Sequence, residues 1–117
     1  MDIGGKSMSM YVSDDRYIRM TRGDTLAFGL EFDGLDQDLG TAYFTCRRNH
    51  TEAPVFQKSL GSGITKQETG KYVVRVAPED TDQLEAGKYY YDLEIGVNGD
   101  RFTILKGVLE LEQDITF

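Results

Sequence analysis

The stretch from Pro78 to Leu93 constrains this 117-residue chain more than any other. Pro78 and Asp80 supply start signals, so the stretch around Asp80 to Leu84 reads as a single helical turn within a tight corner. Gly87 then re-aims the backbone into a strand where Tyr89, Tyr91, Leu93 and Ile95 alternate with Lys88, Tyr90, Asp92 and Glu94. A period of two places the first set on a buried face and the second on an open one. Asn98-Gly99 comes next, and both residues tolerate the positive φ of a type I′ hairpin. An acidic corner, a tyrosine-rich central strand and a tight hairpin are what a chain needs where it crosses between two β-sheets.

The rest of the sequence repeats the same period. Tyr17 to Met20 is a short candidate strand, closed by the turn Arg22-Gly23-Asp24. From Thr25 to Phe32, Leu26, Phe28, Leu30 and Phe32 share one face, and Gly29 on the other face predicts a bulge or a close backbone neighbour. Asp33 to Gly40 is turn chemistry, Thr41 to Arg47 a strand, and Asn49 to Ala53 a loop. Pro54 opens the short run Val55-Phe56-Gln57-Lys58, which reads as a sheet edge blunted by its proline and lysine. After the break at Gly61-Ser62-Gly63 come Tyr72, Val74 and Val76, then the corner and its strand. Arg101 to Leu105 crosses the hairpin, and Val108 to Leu111 closes the set.

Eight or nine short strands without a long helix predict an all-β, immunoglobulin-like antiparallel β-sandwich. It forms a single domain over residues 9–117, preceded by a poorly ordered extension over residues 1–8. Leu26, Phe28, Leu30, Phe44, Tyr72, Val74, Tyr91, Leu93 and Ile104 are the expected core. A hydroxyl from Tyr89 or Tyr91 is expected to bond backbone between Pro78 and Leu84.

Charge narrows the function. Thirteen basic residues against twenty acidic ones leave a net charge of −7, the wrong sign for gripping phosphates, so no nucleic acid is expected. No apolar run reaches the ~18 residues of a membrane span. Met1-Asp2-Ile3-Gly4-Gly5-Lys6 has neither the basic start nor the apolar stretch of a signal peptide. The single cysteine, Cys46, alternates with Ala42 and Phe44 and reads as a small buried hydrophobe.

Catalytic and metal-binding readings fail on residue count. One histidine, His50, in a polar loop cannot assemble a zinc site with Cys46 alone, nor act as the base of a triad that has no nucleophile turn. Gly5-Lys6-Ser7 lacks the upstream glycine of a phosphate-binding loop, and Arg22-Gly23-Asp24 is ordinary turn chemistry as well as an adhesion tripeptide. Asp33, Asp36 and Asp38 form an acidic turn without calcium-loop spacing. Glu79, Asp80, Asp82 and Glu85 coincide with the corner, where Asp80 or Thr81 is expected to cap the helical turn. Tyr43 and Tyr90 point outward and offer a sparse aromatic surface to a sugar. No catalytic, cofactor-binding or metal-binding residue is assigned.

The order of signals resembles small phage and prophage virion domains, in particular the immunoglobulin-like N-terminal domain of baseplate upper proteins. The likeness runs from about residue 9 to residue 117. Its residues are Tyr17-Ile18 before Arg22-Gly23-Asp24-Thr25, the Leu26 to Phe32 strand, Phe56-Gln57-Lys58 before Gly63-Ile64, and Tyr72-Val73-Val74 before Pro78-Glu79-Asp80-Thr81. Leu84, Gly87, Tyr89-Tyr90-Tyr91-Asp92-Leu93, Asn98-Gly99, Phe102-Thr103-Ile104 before Gly107, and Gln113-Asp114-Ile115-Thr116 continue it. The resemblance implies a non-enzymatic structural protein of a tail or baseplate, assembled in the bacterial cytoplasm into a virion. Its implied partners are other virion proteins or further copies of itself. Baseplate proteins of this type continue into further domains, so a stand-alone virion protein and one domain of a larger one are both open. The alternative from the residues alone is a carbohydrate- or cell-surface-binding sandwich.

Overall fold

A computed structural model describes residues 17–113, together with two short N-terminal strands, β1 (Asp2–Ile3) and β2 (Lys6–Ser7), paired antiparallel. The expected extension over residues 1–8 otherwise lies outside the described residues. The domain itself comprises β3 (Tyr17–Thr21), β4 (Leu26–Glu31), β5 (Thr41–Arg47), β6 (Pro54–Leu60), β7 (Gly63–Glu68), β8 (Lys71–Val76), the one-turn helix α1 (Pro78–Thr81), β9 (Gly87–Val97) and β10 (Asp100–Glu112).

The strands run in the order β3-β10-β9-β5-β6-β7-β8-β4. This ribbon folds back on itself. Phe28 of β4 meets Phe44 of β5 edge-on at 5.4 Å, although β6, β7 and β8 lie between them in the ladder order. The fold line is the junction of β6 and β7, which share only the pairs Ser59↔Gly63 and Leu60↔Ile64. A five-stranded sheet (β3-β10-β9-β5-β6) therefore faces a three-stranded one (β7-β8-β4) across the core, as in a sandwich.

Alternation fills that core as the sequence predicts. Tyr89, Tyr91, Leu93 and Ile95 are buried from β9, Phe44 and Cys46 from β5, and Leu30, Tyr72 and Val74 from the facing sheet. Leu26, Phe28 and Ile104 are half-buried rather than buried. For Ile104 the cause is a register shift between Thr103 and Leu105, which turns Leu105 into the core in its place. The hairpin is as expected: Asn98 and Gly99 have φ of 54° and 82°, between the paired Val97 and Asp100.

Four expectations need correction. The sandwich is not wholly antiparallel, because β3 runs parallel to β10 from Tyr17↔Val108 to Thr21↔Glu112, as β6 does to β7. The parallel edge arises because the turn after β3 sends the chain to the other sheet instead of back along β10. The two last strands are one thirteen-residue strand, β10, which passes through the bulge without breaking. An extra strand, β7, fills the stretch after Gly63; its residues are mostly polar and exposed, with Ile64 its buried anchor, so it carries little alternation. Gly29 marks no bulge: its ladder with Val73 is regular, and a Cβ there would meet only the Tyr72 carbonyl at 3.8 Å.

Candidate interaction face

The corner holds the sandwich shut and fixes the outer face of the larger sheet. Asp80, at the third position of α1, accepts a hydrogen bond from the Ala77 N–H at 2.7 Å and an ion pair from Lys58 at 2.6 Å. It thus caps the turn from within, tying β6 to the crossing between β8 and β9. Thr81 is fully buried and its hydroxyl accepts the Gly23 N–H at 2.9 Å, while Arg22 donates to the Leu84 carbonyl at 3.2 Å. Arg22-Gly23-Asp24 is thereby a structural strap against the corner. Tyr89 donates its hydroxyl to the Glu85 carbonyl at 2.7 Å, one residue beyond the window expected from sequence, because Ala86 and Gly87 bring the chain straight into β9. Arg48 lies 4.7 Å above the Tyr89 ring and donates to the Lys88 carbonyl. Burial pushes the Tyr89 hydroxyl above the usual tyrosine range, although Arg48 pulls against it.

The other sequence candidates are dispersed. Cys46 is buried, and burial pushes its thiol up to about 12. Asp38 pairs with Lys66 at 2.8 Å, and among the described residues no cluster of His, Cys, Asp or Glu stands close enough to hold a metal. No helix of the described residues is long and apolar enough to cross a membrane. The segment Pro54 to Lys58 pairs with β5 on one side only, since β6 meets β7 at Ser59 and Leu60 alone. Among the described residues it is an edge without a second partner strand, as the sequence predicts.

What the sequence did not expose is the coherence of the five-stranded sheet's outer surface. Ladder registers set Tyr17, Val108, Tyr90 and Arg47 side by side; the next rows hold Lys106, Asp92 and Thr45, then Thr103, Glu94 and Tyr43. Tyr17 and Tyr43, 38% and 37% exposed, are the exposed large apolar side chains among the described residues, and both stand here. Two clefts also open on this face. One, of about 460 Å³, lies beside Tyr43 between Glu94 and Arg101; the other, of about 320 Å³, lies between Tyr90, Arg47 and Lys106. His50 stacks over Tyr90 at 4.6 Å between ring centres. At the β3 edge Tyr17 donates to the Glu110 carboxylate and Arg19 pairs with Glu110 and Glu112. The Tyr17 bond holds Glu110 below the usual carboxylate range and raises the tyrosine.

Charge distinguishes this face from the rest of the molecule. Arg19, Arg47, Lys88, Arg101 and Lys106 stand among Asp92, Glu94, Glu110 and Glu112, so the face is close to neutral on a chain of net charge −7. Exposed carboxylates of the described residues gather away from it, at Asp33 and Asp36 and around the corner at Glu79, Asp82 and Glu85. Such a surface offers apolar rings and mixed charge without the mutual repulsion of the remainder.

No protein-family model matches the sequence, nor does any curated protein. Solved structures do match. A swine CD8aa homodimer shares 10% identity over 85% of this chain and 95% of its own, with a TM-score of 0.50. The extracellular domain of the voltage-gated sodium channel beta4 subunit, described in parallel homodimer structures, shares 15% identity over 93% of this chain and all of its own, with a TM-score of 0.41. At such identities the likeness concerns fold alone, and the chain is a single immunoglobulin-like β-sandwich.

Proposed function

We propose that this sandwich is a non-enzymatic assembly protein of a phage or prophage virion, associated with the tail or baseplate, which docks on other virion proteins or on further copies of itself. The observation that carries the docking part is the outer face of the five-stranded sheet. It gathers the exposed tyrosines, two clefts and a near-neutral charge on an otherwise acidic molecule. The strand edge along Pro54 to Lys58, unpaired on one side among the described residues, supplies a second point of attachment beside it. The virion part rests on the order of sequence signals shared with baseplate domains. The glycan-binding alternative has less to stand on, since His50 covers the Tyr90 ring and the exposed Tyr17 and Tyr43 stand on β3 and β5 with two strands between them.

Sedimentation velocity across a salt series, with the chain alone and with the tail proteins encoded beside it, tests the reading. Association is expected to strengthen as salt screens the acidic loops. A monomer that ignores every virion partner, yet binds a sugar or turns over a substrate, overturns it.

A further inference from the structure

Six cations of the described residues have partners. Arg19 pairs with Glu110 and Glu112, Lys58 with Asp80, Lys66 with Asp38, and Lys71 with Glu31 and Glu68. Arg22 and Arg48 are held by backbone carbonyls. Among the described residues Arg47, Arg75, Lys88, Arg101 and Lys106 form no ion pair with a carboxylate, and of these Arg47 and Lys106 share one cleft, the 320 Å³ one that also contains Asp92. His50 also lines that cleft, its ring tilted over Tyr90.

We infer that this cleft is a socket for an acidic side chain carried by the protein that docks on the face. The inference rests on the docking reading and names its chemistry. Arg47 comes from the end of β5, Lys106 from the middle of β10, and β9 lies between them, so the sheet itself sets their separation. A carboxylate entering between them meets a guanidinium with a two-pronged donor edge on one side and an ammonium on the other. Asp92, cross-strand from Lys106 on the intervening β9, repels a second anion and accepts an N–H from the incoming chain. A pyranose fits less well, because the stacked His50 takes the Tyr90 face that a sugar ring would use. The cleft's volume suits one or two side chains rather than an oligosaccharide.

The test uses amide chemical shifts of the whole protein titrated with a glutamate-rich hexapeptide. Its glutamine counterpart and a glucuronate-containing tetrasaccharide form the parallel arms. Shifts confined to the region of Arg47, His50, Asp92 and Lys106, seen with the glutamate peptide alone, are expected. Arg47→Gln and Lys106→Gln should each weaken binding about three- to tenfold, with the rest of the spectrum unchanged. Equal shifts from the glutamine peptide, binding of the tetrasaccharide alone, or no localised response at millimolar peptide overturns the inference. The two readings fail separately. If the double variant still sediments with its virion partners as the wild type does, the socket falls and docking stands. If the peptide binds at the cleft while no virion protein associates, the socket stands and docking falls.

Discussion

Asp80 and Lys58 form one ion pair, but their removal should not cost the same. Both side chains are about 15% exposed, at 15% and 16%, so each charge is largely withdrawn from water. Breaking a fully buried pair by deleting one partner costs about 3–5 kcal/mol, and partial access to water brings the figure here down to about 2. Asp80→Ala adds a second loss, since the Ala77 N–H loses its acceptor at the start of α1, worth about 1 kcal/mol more. Lys58→Met keeps the aliphatic stem that lies against Gly63, and leaves Asp80 its bond to Ala77. We expect about 3 kcal/mol for Asp80→Ala and about 1 kcal/mol for Lys58→Met, with a coupling of about 1 kcal/mol in the double-mutant cycle. Urea titrations with unchanged m-values measure all three. In a domain of this size the Asp80→Ala loss lowers Tm by about 10–15 °C. Equal costs for the two variants, or a coupling near zero, would refute the view that one carboxylate both caps the turn and anchors β6.

Three further outcomes follow from the same geometry. Tyr89→Phe removes the donor to the Glu85 carbonyl while keeping the ring under Arg48, and should cost about 1 kcal/mol in the same titration; a change within about 0.3 kcal/mol would show the hydroxyl is merely solvated. Cys46 has a folded-state pKa raised to about 12, so its contribution is complete below the unfolded thiol's pKa and is lost as pH rises toward 12. Stability should therefore fall above about pH 9, by up to about 1.4 kcal/mol per pH unit, and Cys46→Ala should flatten that slope; an unchanged alkaline slope would count against burial as its cause. Gly99→Ala forces a φ of 82° on an L side chain with no neighbour to blame, and should cost about 1 kcal/mol.

The sandwich was legible because most of its strands are half-buried, which writes a period of two into Leu26 to Phe32, Thr41 to Arg47 and Tyr89 to Val97. It faded where burial did not alternate. β7 is mostly polar, so Ile64 alone marks it. The bulge at Thr103 to Leu105 shifts the phase within one continuous strand, which made β10 read as two. The parallel pairing of β3 with β10 leaves no trace in either strand, because residues separated by some ninety positions carry no record of direction. The interaction face was less legible still. Tyr43 and Tyr90 were visible as outward-facing rings, but the convergence of Arg47, His50 and Lys106 depends on register between β5, β9 and β10, which single strands do not encode.

The pairing of β3 with β10 also determines how the domain bears load. Because these strands run the same way, a pull toward the chain's start at Tyr17 and toward its end at Glu112 acts in opposite senses along the shared ladder. The register from Tyr17↔Val108 to Thr21↔Glu112 is then strained all at once, in shear, instead of opening one bond at a time from an end. The Arg22 N–H, bonded to the Glu112 carbonyl at 2.9 Å, extends that clasp by one more link. The neighbouring β9–β10 hairpin, being antiparallel, would unzip under a force applied across its open end. Resistance to stretching along the chain therefore resides in a five-residue edge strand, ahead of the core it borders.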